Sequence, residues 1–218
     1  MLALLGLMYV LLGVWFLSAP GTHTASAVMR IIRSLNAIKI QIPGDYRQND
    51  EFRKHVLHTF NDMEKLSPYL RQILEAAKNA PVEIVITPIT DDPSTWYSNG
   101  DRKNSHTKRY GRQNLGSSII FIDPDRIDPS HRSYSKGTLA HELVHAIDFA
   151  YGRLNPDYEI REKRAVFVQN IWRDLHGNKL RKSYHGRFPT LEYQSAKEKG
   201  RIQYYMNNIF SGDGFLGY

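Results

Sequence analysis

The chain has 218 residues, 41% hydrophobic and 23% charged, with 15 Gly and 10 Pro. That is enough to bury a core in one ordinary domain, and it is unlike a collagenous, coiled-coil or disordered polymer. The absence of cysteine excludes disulfide scaffolds, Cys-ligated metals, iron–sulfur clusters and thiol nucleophiles, so any metal must be held by His, Asp or Glu. The 29 Lys and Arg against 22 Asp and Glu leave a formal charge of +7. Basic residues run from Arg30 to Arg201 with no block of five or six, which is the pattern of a solvated basic surface, and no nucleic-acid partner is expected.

Residues 2–17 form an apolar run containing Tyr9, Trp15 and Phe16, and Ala25-Ser26-Ala27 follows. An apolar stretch before a small-x-small site reads as an export signal, so residues 1–27 are set apart from a domain at 28–218 and the protein is expected to be secreted. An uncleaved membrane anchor is the rival, although a span wants about 18–20 apolar residues; a buried helix is the third reading.

Residues 38–42 alternate apolar and polar as a strand does, and residues 82–86 are rich in β-branched side chains, so the two are expected to pair. Between them, residues 49–80 carry Phe52, Val56, Phe60, Met63, Leu70, Ile73 and Leu74 at three- and four-residue steps, a helix with a break at Ser67-Pro68. Residues 90–116 are polar and glycine-containing and read as a long loop. A third strand follows at 117–123. Helices are predicted over 136–151, closed by Gly152, and over 158–175, ending at His176-Gly177. One more helix is predicted within 191–210, and 211–218 reads as a loose end.

The helix over 136–151 contains His141-Glu142-Leu143-Val144-His145. Four residues of helix turn about 400°, so the two imidazoles lie one turn apart and about 40° from each other, able to grip one tetrahedral ion. Glu142 beside them is placed to take a proton from a metal-activated water and to return it to a leaving amine. Two core histidines with a surface carboxylate would produce the same letters. A catalytic zinc wants a third protein ligand. Glu162 and Glu159 on the next helix are the candidates, and Glu162 is preferred because the small, apolar Ala165-Val166 after it permits close approach; Asp148 and Asp157 remain as others. Asp148 is otherwise expected either to orient a ligand imidazole or to be an exposed acid without a role.

From about Leu139 to Tyr184 the chain resembles the NleD-like zinc metalloprotease effectors. The resemblance rests on the His141 to His145 motif, on Glu162-Lys163-Arg164-Ala165-Val166, and on Asn170, Arg173, Gly177, Leu180, Arg181 and Tyr184 in the family's spacing. His145-Ala146-Ile147-Asp148-Phe149 is also similar to the lethal-factor type of toxin protease. The resemblance implies a zinc endopeptidase acting on host proteins, kinases among them. It further implies that Tyr184 bonds the oxyanion and that Arg173 or Arg181 positions it or binds substrate; on a helix Arg173 lies about 20° and Asn170 about 80° from Glu162, so the three are expected to share the face turned toward the zinc. The combined expectation is an α+β, zincin-like single domain: a small twisted sheet, an active-site helix and a following Glu-ligand helix, monomeric, with one Zn2+ held by His141, His145 and Glu162. A non-enzymatic basic binding module and a zinc hydrolase of a non-protein substrate are the alternatives.

Overall fold

Serine 67 and Pro68 show how local chemistry sets the architecture. In the computed structural model the Ser67 hydroxyl accepts from the amides of Tyr69 and Leu70, and Pro68 opens the second of two successive helices, α1 (Asn49–Leu66) and α2 (Pro68–Lys78). The predicted break is therefore an N-cap followed by an N1 proline. The structure describes residues 37–42, 49–96, 100, 104–110, 116–128 and 137–211. The readings of residues 1–27 and of 212–218 lie outside these. No helix among the described residues is long and apolar enough to cross a membrane.

The described residues form a mixed α+β fold of seven helices and a small mixed sheet. Strands β1 (Ile38–Ile40), β2 (Ile84–Pro88) and β4 (Ser117–Ile122) run parallel, with Ile38 opposite Ile84 and Ile86 opposite Ile120. The α1–α2 pair supplies the long crossover that a parallel β1–β2 pairing requires. At the edge, β3 (His106–Tyr110) pairs antiparallel with β4, giving the order β1-β2-β4-β3. Ile84 and Ile86 of β2 and Ile120 and Ile122 of β4 alternate along their strands, and their shared face joins Phe60, Ile73, Leu143 and Phe167 in one apolar core.

After the short α3 (Pro124–Ile127) comes α4 (Gly137–Ala150), in which eleven of fourteen residues are buried. A helix enclosed on nearly all sides is a rigid platform. It forms an antiparallel hairpin with α5 (Tyr158–Leu175). Gly152 closes α4 in the left-handed region at φ 66, with the Arg153 amide bonded to Asp148 O and the Gly152 amide to Phe149 O, a Schellman end. At the far end of the hairpin a Cβ on Gly137 would stand 3.0 Å from Gln169 Cγ, so glycine permits the close approach of the two helices.

Two expectations are corrected, and one element is added. Residues 90–116 are not one loop, because β3 lies inside them; its polar letters His-Thr-Lys-Arg suit an edge strand and hide it from a hydrophobic pattern. The predicted single C-terminal helix is two, α6 (Glu192–Glu198) and α7 (Ile202–Ser211), divided at Gly200 with φ 64. Between α5 and α6 stands a small hairpin, β5 (Ser183–Tyr184) and β6 (Phe188–Pro189), that the strand patterns do not announce.

Candidate metal centre

The α4–α5 hairpin brings His141, His145 and Glu162 together in the interior. The two Nε2 atoms are 3.3 Å apart, His141 Nε2 is 3.2 Å from Glu162 Oε2, and His145 Nε2 is 3.4 Å from Glu162 Oε1. A tetrahedral cation with bonds of 2.0–2.1 Å needs donors about 3.3–3.4 Å apart, whereas neighbouring positions of an octahedron at that bond length are only about 2.9 Å apart. Glu162 Oε2 is buried and has no aligned hydrogen bond despite its nearness to His141. One ligand atom from each of the three residues lies within 4.8 Å of the others. This buried group can hold a metal ion.

The competing carboxylates have other work. Asp157 caps α5 by accepting from the amides of Glu159 and Ile160, and Glu159 pairs with Lys163 at 2.6 Å. Asp148 is 1% exposed and pairs with Arg164 at 2.9 Å, so it is neither a surface acid nor bonded to an imidazole. Burial pushes its carboxyl up to about 6, with Arg164, His145 and Arg153 pulling the other way. Arg164, itself 1% exposed, also donates to Ile209 O and so ties α5 and α4 to α7.

Glu142 is buried, and its Oε2 accepts a 2.8 Å hydrogen bond from Thr107 Oγ1 on β3. Tyr184 stacks on His141, ring centroids 6.2 Å apart and planes within 5°. Burial, the Glu162 carboxylate and the Tyr158 hydroxyl together raise its phenol far above the ordinary value, so it remains a hydrogen-bond donor. The turn behind it is built from His185 at φ 47 and Gly186 at φ 71, with the Arg187 amide bonded to Tyr184 O. Two successive left-handed residues make the type I′ turn that matches hairpin twist.

Asn170 and Arg173 do not share the metal-facing side with Glu162. An α-helix rises 1.5 Å per residue, which puts them about 12 and 16 Å further along α5, so agreement in angle does not bring them to the ion. Instead Asn170, 1% exposed, donates to Arg181 O and accepts from the Arg181 amide, while Arg173 Nε donates to Lys179 O. Arg181 donates to Gln169 Oε1 and lies 4.8 Å from the Tyr184 ring centre. These three residues fasten to α5 the segment that returns Tyr184 to His141.

Burial opposes charge at the centre, and mutual attraction outweighs it. Burial favours a neutral Glu162, yet the close approach of His141 and His145 holds its carboxyl far below the ordinary 4.5. Burial likewise resists protonation of His145, but Glu162, Glu142 and Asp148 lift it above the ordinary 6.5. Glu162 thus stabilises the metal-free fold above its unfolded value and stops doing so as pH falls through its depressed one. His145 contributes fully below its unfolded value and stops as pH rises through its raised one. Asp148, raised to about 6 by burial, also contributes at low pH and stops as pH rises through that value. Metal-free protein is therefore expected to melt highest at about pH 4.5–5 and to lose stability as pH rises, whereas in metal-loaded protein the further loss above about pH 6.5 is absent because the ion replaces the proton of His145. Thermal unfolding across pH with and without metal checks this; parallel curves would contradict it.

Thr107, Arg164 and the clamping role of Asn170 are not legible in the motif. Only the His185-Gly186 pair between two short apolar steps offered a local signal, for the hairpin. Set against protein-family models, the curated proteins and the solved structures, the chain matches none.

Proposed function

We propose that the chain is a zinc-dependent endopeptidase of zincin type, exported and toxin-like in the manner of the NleD-like effectors it resembles. The observation that carries this reading is the triangle of donors with edges of 3.2–3.4 Å, flanked by the Glu142 carboxylate. Two imidazoles and a carboxylate suit zinc, and the edge lengths favour its tetrahedral geometry over the octahedral one of iron sites with the same three ligands. When bound, zinc supplies Lewis acidity that polarises a carbonyl and acidifies water.

The chain's own residues supply the rest. Glu142 accepts a proton on the oxygen that Thr107 leaves free and delivers it to the departing amine. The protonated Tyr184 donates to the carbonyl oxygen as negative charge develops there. The peptide substrate is supported by β3, the last strand in the sheet order and the carrier of Thr107. An extended chain laid along this edge gains main-chain hydrogen bonds and passes the Glu142 carboxylate.

The test is a census of newly formed protein amino termini in a eukaryotic cell lysate incubated with the full chain, then with the chelated chain, then after zinc is restored. New termini that vanish on chelation and return with zinc are expected, and their presence in kinase activation loops would support the effector resemblance. Zinc in the protein without new termini would point to a non-protein substrate. No metal and no termini would overturn the reading in favour of a basic binding module.

A further inference from the structure

We propose that Thr107 is a positioning residue for the general base, an inference that rests on the hydrolase reading of the centre. Its hydroxyl lies 2.8 Å from Glu142 Oε2 and 3.2 Å from Glu142 O, two acceptors for one proton. The shorter distance and the charge give that proton to the carboxylate. The contact holds one oxygen of the Glu142 carboxylate and so fixes its orientation, leaving the other oxygen to act as the base.

The geometry is held from both ends. Glu142 sits on the enclosed helix α4 and is itself only 5% exposed, while Thr107 is fixed by the β3–β4 ladder, opposite Ile120 of the core face. A glutamate side chain has three rotatable torsions, and a base that wanders among them spends most of its time out of reach. Thr107 removes that freedom from a position 35 residues away in sequence. Because β3 is also the edge strand, the residue that aims the base moves with the surface on which an extended chain would lie.

The test compares wild type with Thr107→Val, which keeps shape and strand propensity but lacks the donor, and Thr107→Ser, which restores it. Loss of a group that orients an active-site residue typically costs about 10- to 100-fold. Thr107→Val is expected to lower kcat about 10- to 100-fold with little change in KM, metal content or melting temperature, and Thr107→Ser to recover most of it. A role confined to folding would not separate kcat from KM in this way. Should Val not fold at this site, Thr107→Ala removes the same donor.

A second measurement needs no peptide. Acetohydroxamate chelates zinc through its two oxygens and gains affinity when a neighbouring carboxylate hydrogen-bonds its hydroxyl oxygen, so its affinity for the zinc-loaded protein reports the aim of Glu142. Thr107→Val and Glu142→Ala are each expected to weaken it about tenfold, and the double variant no further, because residues acting through one contact are not additive. Hydroxamate affinity and kcat both unchanged in Thr107→Val would overturn the proposal. Coupled hydroxamate binding in a wild type that cuts no protein would support Thr107's role while ending the peptidase reading.

Discussion

Glu142→Ala is expected to keep its metal and lose peptide hydrolysis about 100- to 10,000-fold, the usual contribution of a positioned general acid–base group. Glu142 is a member of none of the three donor pairs at 3.2–3.4 Å, so their geometry is expected to survive the substitution. Glu162→Ala should behave in the opposite order. It removes the carboxylate that spans both imidazoles and leaves two neutral ligands where three are needed, so metal content falls first and activity with it. Metal analysis after exhaustive dialysis, alongside initial rates on a substrate from the terminus census, separates the two. Full activity in Glu142→Ala would end the hydrolytic assignment, and full metal in Glu162→Ala would end the ligand assignment.

The second large effect lies at Arg164, away from the chemistry. Its guanidinium and the Asp148 carboxylate are each 1% exposed and 2.9 Å apart. Removing one partner of such a buried pair typically costs about 3–5 kcal/mol, because the other is stranded. Arg164→Ala also drops the bond to Ile209 O that anchors α7. Asp148 already titrates at about 6 in the fold, above its ordinary 3.8, and losing Arg164 raises it further. A folded pKa above the unfolded one adds stability at low pH that fades as pH rises through the folded value. The loss in Arg164→Ala should therefore be smaller at about pH 5 than at about pH 8. Arg164→Met combined with Asp148→Asn, which leaves no buried charge, should recover much of it. Urea unfolding at the two pH values measures all of this; an Arg164→Ala protein as stable as wild type at both would show that the pair does no net work.

The sequence by itself determined what is local. Helical spacing puts His141 and His145 on one face; Ser67-Pro68 caps α2; Gly152 closes α4; Ile84, Ile86, Ile120 and Ile122 alternate as sheet core. Each depends on neighbours within a few residues, where periodicity and capping chemistry decide. Ala165-Val166 favours Glu162 over Glu159, but the packing of α4 against α5 is what sets Glu162 beside both imidazoles and leaves Glu159 with Lys163. The same holds for Thr107 on Glu142, for Arg164 on Asp148, and for Asn170 on the Arg181 backbone, whose partners stand 35, 16 and 11 residues apart. In α5 the angular agreement of Arg173 with Glu162, about 20°, is real and irrelevant, because rise along the axis carries it away from the metal centre, and Asn170 stands both further along and about 80° round the helix. A helical wheel records rotation and omits translation; where a side chain finishes is set by the element packed against it, and that is settled only when the whole chain has folded.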